Sequence, residues 1–256
     1  MLAEERQGLI VAMVNQRGSL SIAEIQRALK VSRETIRRDL VVLANRHALR
    51  KAHGGAMALE RAEPAIEVRQ ILNAQAKRAI GRLAASLVPD GASVMLSGGS
   101  TVQAVAEALF DRQGLTVFTN SVASCSKLAG HNNNRVYMLG GGVHAASNTT
   151  LGRDATAMLA HYCADFAFVG ASAISPGGWL MDHTREASEL SGQMLQSVRT
   201  AVVVADHTKF NRYAPVRVDH FDKATYLVTD RPPEGPLAMA LAALPLEVLV
   251  ADEPGR

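Results

Sequence analysis

The sequence has no apolar run of the roughly 18 to 20 residues needed to cross a bilayer. Its opening, Met1-Leu2-Ala3-Glu4-Glu5-Arg6, reads as too charged and too briefly apolar for a secretory leader, so a cytoplasmic chain is the default expectation. Cysteine is scarce: Cys125 and Cys163 form neither a CxxC pair nor a metal-ligand spacing, and both read as reduced structural thiols. His131, His144, His161, His183 and His220 also lack ligand spacing, so neither metal nor cofactor is expected. There is no GxGxxG, and no lysine closes the glycine-rich loops in the Walker manner, which argues against a nucleotide. No short repeat or low-complexity tract is present.

What remains is ordinary globular material, 256 residues of which 48% are hydrophobic, enough for a small domain and a medium one. The net charge of +3 is unevenly spread. Residues 1–60 carry ten Lys/Arg against six Asp/Glu, and the rest carries seventeen against eighteen. A small basic module ahead of a near-neutral body suggests that a polyanion is met at the N-terminal end.

That module reads as three helices and a wing. Residues 3–16 form a first helix with Leu9, Ile10, Met13 and Val14 as its apolar stripe, and Arg17-Gly18 ends it. Ser21-Ile22-Ala23-Glu24 is a capping box opening a helix to about Leu29, with Ile22, Ile25 and Leu29 inward. Lys30-Val31 leaves a tight turn before Ser32 caps a third helix in which Ile36, Leu40 and Leu43 share one buried face. Helix, tight turn, helix is the helix-turn-helix signature. Ser32, Arg33, Thr35, Arg37 and Arg38 lie near the start of the third helix, where bases and nearby phosphates would be touched. Arg38 is equally a candidate partner for Asp39, whose place beside the buried stripe suggests a structural ion pair. Residues 48–56 read as two extended pieces around a turn, a wing whose Arg50, Lys51 and His53 would hold phosphates. The alternative reading of the third helix is an amphipathic surface helix with a solvated basic face.

From Ala76 onward the pattern alternates. Apolar strands are expected at 92–97, 115–119, 135–140, 165–171, 200–205, 225–229 and 246–251, with mostly helical stretches between, which means a mainly parallel sheet covered on both faces. Small and hydroxyl residues follow the strands: Gly98, Gly99, Ser100 and Thr101 after the first, Asn120 and Ser121 after the second, Gly140 and Gly141 after the third, Ser172 after the fourth, Asp206 and Lys209 after the fifth. Ligands of open parallel sheets bind beyond the carboxyl ends of the strands, and glycines, hydroxyls and one lysine there suit a small phosphorylated ligand. Each loop alone is more often just a turn; their alignment on one edge carries the reading. The expected organisation is a winged helix-turn-helix over 1–57, a linker over 58–75 and an α/β domain over 76–256.

On these residues the whole chain resembles the DeoR family of bacterial transcriptional regulators. Ser32 through Leu40 matches the family's helix-turn-helix signature and His53-Gly54-Gly55-Ala56 its wing. Ser100-Thr101, Thr119-Asn120-Ser121, Leu139-Gly140-Gly141 and Ala205 through Phe210 match its effector-domain landmarks. The resemblance implies a repressor of a sugar or polyol catabolic operon, binding operator DNA as at least a dimer, with a C-terminal domain similar to ribose-5-phosphate isomerase that responds to a phosphorylated sugar or polyol. The segment from Asp206 through Asp230-Arg231-Pro232-Pro233 most resembles the branch sensing glycerol 3-phosphate. Two departures stand out: Leu96 and Ser97 occupy positions where many relatives carry an acid, and the Arg185–Ser191 stretch lacks the lysine that relatives tend to have.

Two other functions stay in view. An isomerase-like enzyme with an appended DNA module would need a base and a polarising group, for which Asp182, Glu186, Glu189, Asp206 and Lys209 are available. An interaction protein would keep the DNA module and ignore effectors.

Overall fold

The chain begins as a tight assembly of short elements: α1 (Ala3–Arg17), β1 (Ser19–Ser21), α2 (Ile22–Leu29), α3 (Arg33–Asn45), β2 (Arg50–Ala52) and β3 (Gly55–Met57). This computed structural model describes residues 3–17, 19–46, 48–52, 54–57 and 64–252, and it divides into two compact units, Met1–Glu63 and Pro64–Arg256.

In the first unit the capping box at α2 is complete. Ser21 Oγ accepts from Glu24 N at 3.2 Å, and the Glu24 carboxylate accepts from Ser21 N at 2.8 Å. Lys30 takes the left-handed conformation that ends α2, and Ser32 caps α3 by accepting from Thr35 N. Ile10, Val14, Leu20, Ile25, Ile36, Leu40 and Leu49 are buried in one cluster. Each large aliphatic side chain buried there contributes about 1.5–3 kcal/mol. Leu9, expected in the stripe of α1, is 43% exposed. The i, i+4 pair Ile10 and Val14 turns inward, which sends Leu9 out by one helical step. The wing has three strands rather than two, in the order β1-β3-β2. The added strand is only Ser19-Leu20-Ser21, too short to show a period. It approaches β3 so closely that a Cβ on Gly55 would stand 2.2 Å from the Leu20 carbonyl oxygen.

The second unit runs α4 (Ile66–Ile71), α5 (Ala74–Ser86), β4 (Ser93–Leu96), α6 (Ser100–Ala108), β5 (Thr116–Thr119), α7 (Val122–Leu128), β6 (Arg135–Met138), β7 (Gly142–His144), β8 (Thr149–Leu151), α8 (Arg153–Leu159) and β9 (Ala164–Gly170). It continues with β10 (Ala173–Ile174), β11 (Leu180–Asp182), α9 (Arg185–Gln196), β12 (Val198–Val204), β13 (Val216–Arg217), β14 (Tyr226–Thr229), α10 (Gly235–Ala242) and β15 (Glu247–Val250). All seven expected strands are present, joined in one parallel sheet of order β15-β14-β12-β9-β4-β5-β6.

Alternation along the strands feeds two cores. Val94, Leu96, Val117, Phe168, Val202, Val204 and Val228 meet Ile80, Val102, Val105 and Leu128 on one face. Met95, Phe118, Ala167, Val169, Val203 and Leu227 meet Leu159, Leu190, Met194, Leu237 and Leu241 on the other. Two stretches between strands are not helical: the antiparallel β7–β8 hairpin and the small β10-β11-β13 sheet. Strands of two or three residues fall below the length at which sequence alternation is legible.

Helices α5 and α6 cross where Gly81 sits, and a Cβ there would lie 2.5 Å from the Ala104 carbonyl oxygen. Because the obstruction is backbone, Gly81→Ala should force the two helices apart and cost about 1–3 kcal/mol, read from the urea midpoint of unfolding.

Candidate functional sites

The first site is the exposed face of α3. Ser32, Arg33, Arg37 and Arg38 are exposed there and Thr35 is half-buried, while Ile36, Asp39 and Leu40 are buried behind them. Ser32 is occupied as a cap, its Oγ 3.1 Å from Thr35 N and 2.8 Å from Thr35 Oγ1. Arg33 Nε donates to Gln26 Oε1 on α2 at 3.2 Å, a contact that ties the two helices across the turn. Arg50 and Lys51 are exposed on β2, and His53 lies outside the described residues.

Asp39 has a partner, and it is not Arg38. Arg6 of α1 grips it through Nε–Oδ2 at 2.5 Å and Nη2–Oδ1 at 3.1 Å, and Gln7 Nε2 donates at 2.9 Å. Arg38 instead faces Glu34 at 3.5 Å, one turn away in solvent. An exposed pair of that kind contributes little and is readily exchanged for another anion. Burial pushes the Asp39 carboxyl up, but hydrogen bonds from Arg6 and Gln7, with the Arg6 charge, outweigh it and hold the carboxyl below its usual range.

The second site is the carboxyl edge of the sheet. From β4 the chain steps to β5 and β6 on one side, then returns to β9 on β4's other flank, so the strand order reverses between β4 and β9, the place where open parallel sheets form a ligand crevice. Ser97 stitches its floor: Ser97 N donates to Phe168 O at 3.0 Å, and Ser97 Oγ accepts from Gly170 N at 3.2 Å. Gly98 lies under β8, where a Cβ would come 2.4 Å from Thr149 Cγ2. Gly99 takes φ 117°, a backbone that disfavours side chains, and begins α6 with no side-chain cap. The first turn of α6, with Ser100 half-buried and Thr101 buried in it, therefore starts without a side-chain cap, a setting whose N–H groups and dipole suit an anion.

The remaining expected positions separate along this edge. Asp206 follows β12, two strand spacings, or about 10 Å, from the loop after β4. It is 1% exposed; Oδ1 accepts from Asn73 Nδ2 at 3.1 Å, Thr208 N at 3.0 Å and Thr208 Oγ1. Lys209 closes the same turn. Asn120 is buried beside β4 and donates to Thr150 O at 2.9 Å. Ser121 spends its hydroxyl capping α7. Gly140 and Gly141, four spacings or about 19 Å from Asp206, are exposed at the base of the β7–β8 hairpin, where Gly141 (φ 118°) has no room for a Cβ beside Leu151 O. Ser172 donates to Asp182 Oδ1 at 3.3 Å. The ends of β12, β9, β4 and β5 lie within three strand spacings, about 14 Å, and the Gly140-Gly141 turn follows β6 one spacing further out.

Sequence reading missed Lys77. It is 5% exposed on α5, and its ammonium donates to the Leu72 carbonyl at 2.7 Å and to that of Arg69. Burial pushes it below the usual lysine value, the charge of Asp206 opposes this, and Lys209 and Arg69 add to it. Lys77 thus lies within reach of the charges of Asp206 and Lys209. The available signal was a lysine within the stripe Lys77, Ile80, Gly81 and Ala84, at i, i+3, i+4 and i+7. Trp179, 44% exposed in the β10–β11 hairpin, has the Arg217 guanidinium over its ring and is a hairpin residue. Among the described residues no group of three His, Cys, Asp or Glu could hold a metal ion, and no helix is long and apolar enough to cross a membrane.

Comparison with known proteins follows the same division. Residues 6–62 match the DeoR-like helix-turn-helix domain and residues 72–231 the DeoR C terminal sensor domain. The chain is 34% identical to the glycerol-3-phosphate regulon repressor of Haemophilus influenzae, over 90% of each protein. It is 31% identical to the HTH-type transcriptional repressor GlcR of Bacillus subtilis, over 99% of this chain and 98% of that one. Among solved structures, ribose 5-phosphate isomerase A of Methanocaldococcus jannaschii aligns over 54% of this chain and 55% of its own, with 19% identity and a TM-score of 0.40.

The Asp39 pair yields a signed prediction. A carboxyl held low in the folded state stabilises it above the ordinary carboxylate range, and that contribution is lost as pH falls through the folded value. Asp39→Asn should therefore melt below the wild type near neutral pH, and the gap should close on acidification; a constant gap would assign the loss to packing instead.

Proposed function

The chain belongs to the DeoR family of transcriptional regulators, and from that premise we propose that it represses a sugar or polyol catabolic operon and is released from its operator by a phosphorylated polyol. It is a DNA-binding repressor with a sugar-phosphate-sensing domain, as its curated relatives are named repressors. Glycerol 3-phosphate is the first effector to test, on the name of the Haemophilus influenzae relative.

The supporting observation is the uncapped start of α6 at the crevice between β4 and β9. Helix dipole and free N–H groups there favour a phosphate, and Lys209 with Lys77 supplies positive charge beside Asp206. Gly98 to Thr101, Asn120, Asp206 and Lys209 form the proposed pocket. The backbone of Ser121 and the nearby Ser172 shape its rim, and Gly140-Gly141 serves the hairpin. On α3, Arg33, Arg37 and Arg38 read the major groove and adjacent phosphates, and Arg50, Lys51 and His53 hold the backbone from the wing. One module covers one half-site, so a dimer or higher homo-oligomer on a symmetric operator is part of the proposal. The proposed organisation assigns 1–57 to DNA, 58–75 to the connection and 76–256 to sensing.

Proton-transfer chemistry finds poor support in the carboxylates. Glu189 is exposed and paired with Arg185 at 2.6 Å. Asp182 accepts from His183 N and Ser172, and Asp206 is saturated at one oxygen by neutral donors.

On an operator selected from random DNA by the protein itself, Arg37→Ala should cost about 1–3 kcal/mol of binding while leaving effector stabilisation intact. Glycerol 3-phosphate at about 100 times Kd should add about 2.7 kcal/mol to the stability of the sensing unit. Lys209→Ala should remove about 1.5–3 kcal/mol from that binding, and Ser100→Ala should weaken it in the same direction. No thermal shift across a panel of sugar and polyol phosphates would sink the pocket assignment.

A further inference from the structure

Two buried side chains at the sheet edge are each only half used. Gln103, one turn into α6 and 6% exposed, accepts from Gln70 Nε2 through its Oε1 at 2.6 Å, while its own Nε2 has no hydrogen-bond partner among the described residues. Asp206 spends Oδ1 on Asn73 and Thr208, and its Oδ2 likewise has no partner among them. One orphan is a donor and the other an acceptor. Buried polar atoms are nearly always paired, and such exceptions ask for a cause. A hydroxyl both donates and accepts, so hydroxyl-bearing carbons are the chemistry that completes this pair.

The used halves of both side chains point to one short segment. Gln70 and Asn73 are three residues apart at the end of α4, and Asn73 takes the left-handed conformation (φ 52°) that starts α5. Lys77 fastens the same turn through the Arg69 and Leu72 carbonyls. At its other end Ile66 N donates to Ala146 O, and Arg69 Nε donates to Pro64 O at 2.9 Å. Pro64 is where the second unit begins after the DNA-binding one.

We infer that the hydroxylated end of the effector is read by Gln103 Nε2 and Asp206 Oδ2, and that Gln70 and Asn73, bonded to the opposite atoms of the same two side chains, report its occupancy to the segment leading to the DNA-binding unit. The inference rests on the strand-end pocket proposed above. A hydroxyl that donates to Asp206 competes with Asn73 for the carboxylate's charge. One that accepts from Gln103 reorients the amide on which Gln70 depends. The phosphate end, seated on backbone N–H groups, gives affinity without touching this segment.

The test uses the full-length protein with glycerol 3-phosphate and inorganic phosphate as probes, read by thermal shift and operator anisotropy. Gln103→Met, close in shape but unable to donate, should weaken glycerol 3-phosphate about tenfold or more while inorganic phosphate protects as in the wild type, which also shows the variant is folded. The double variant Gln70→Ala/Asn73→Ala should bind glycerol 3-phosphate within about threefold of wild type, yet lose about tenfold or more of the effector's effect on operator affinity. Wild-type affinity in Gln103→Met, or wild-type release in the double variant, would overturn the inference while the pocket stands. A wild-type protein stabilised by neither probe would overturn the pocket and the inference together.

Discussion

The larger unit depends on the position of β4 in its sheet. β4 is the first strand laid down, and it ends with β5 on one flank and β9 on the other. Because successive connections leave it in opposite directions, the loop after β4 lies where the strand order reverses, with Ser97 buried and Gly98 and Gly99 half-buried there. Everything useful at that edge follows from this. Gly98 must be small because Thr149 lies over it, and Gly99 must tolerate a positive φ for α6 to begin at the gap. The start of α6 then faces the crevice with its first N–H groups uncommitted. The Ser97 hydroxyl holds β9 to β4 through Gly170.

In the small unit the organising contact is Arg6 and Gln7 on Asp39. The apolar face of α3 fixes which residues point inward, but hydrophobic burial is non-directional and does not set how α3 lies along α1. A bidentate carboxylate contact does, since both hydrogen bonds form at only one register. With Asp39 taken by α1, Arg38 stays on the outer face beside Arg33 and Arg37, and the cationic reading surface is wider than the ambiguity over Arg38 allowed.

The legible parts of the sequence were those in which one residue type repeats at a period. Seven apolar runs bounded by turn residues read as strands because four to seven residues suffice to show burial on both faces. The Ser21–Glu24 capping box and the Ser32 cap read directly because their partners lie three residues apart. Short strands failed for want of length: Ser19–Ser21 carries one inward side chain, and β10, β11 and β13 have two or three residues each. The pocket's second layer failed for a different reason. Gln70 meets Gln103 across 33 residues and Asn73 meets Asp206 across 133, and no local pattern encodes which polar side chain another will find. Lys77 was visible only as an oddity, a lysine in an apolar stripe, whose meaning needed the carbonyls it caps. Leu9 shows the opposite error, an apolar residue assigned inward because its neighbours were.

Regulation adds a further constraint on which contacts matter. An effector shifts an equilibrium only through interactions that differ between the two states, however tightly it binds. The α6 N-terminus is anchored in the core through Val102 and Val105, both fully buried, so contacts to its backbone have little scope to change between a DNA-competent and an incompetent form. A phosphate bound there supplies affinity common to both. The side chains of Gln103 and Asp206 are different, since each shares its polar capacity between the pocket and the Gln70–Asn73 segment. A ligand hydroxyl that engages their free atoms alters the terms on which that segment is held, and the segment is continuous with the chain that carries α3. On this division the phosphate recruits the molecule and the hydroxyls distinguish it, so inorganic phosphate can occupy the pocket without acting as a signal.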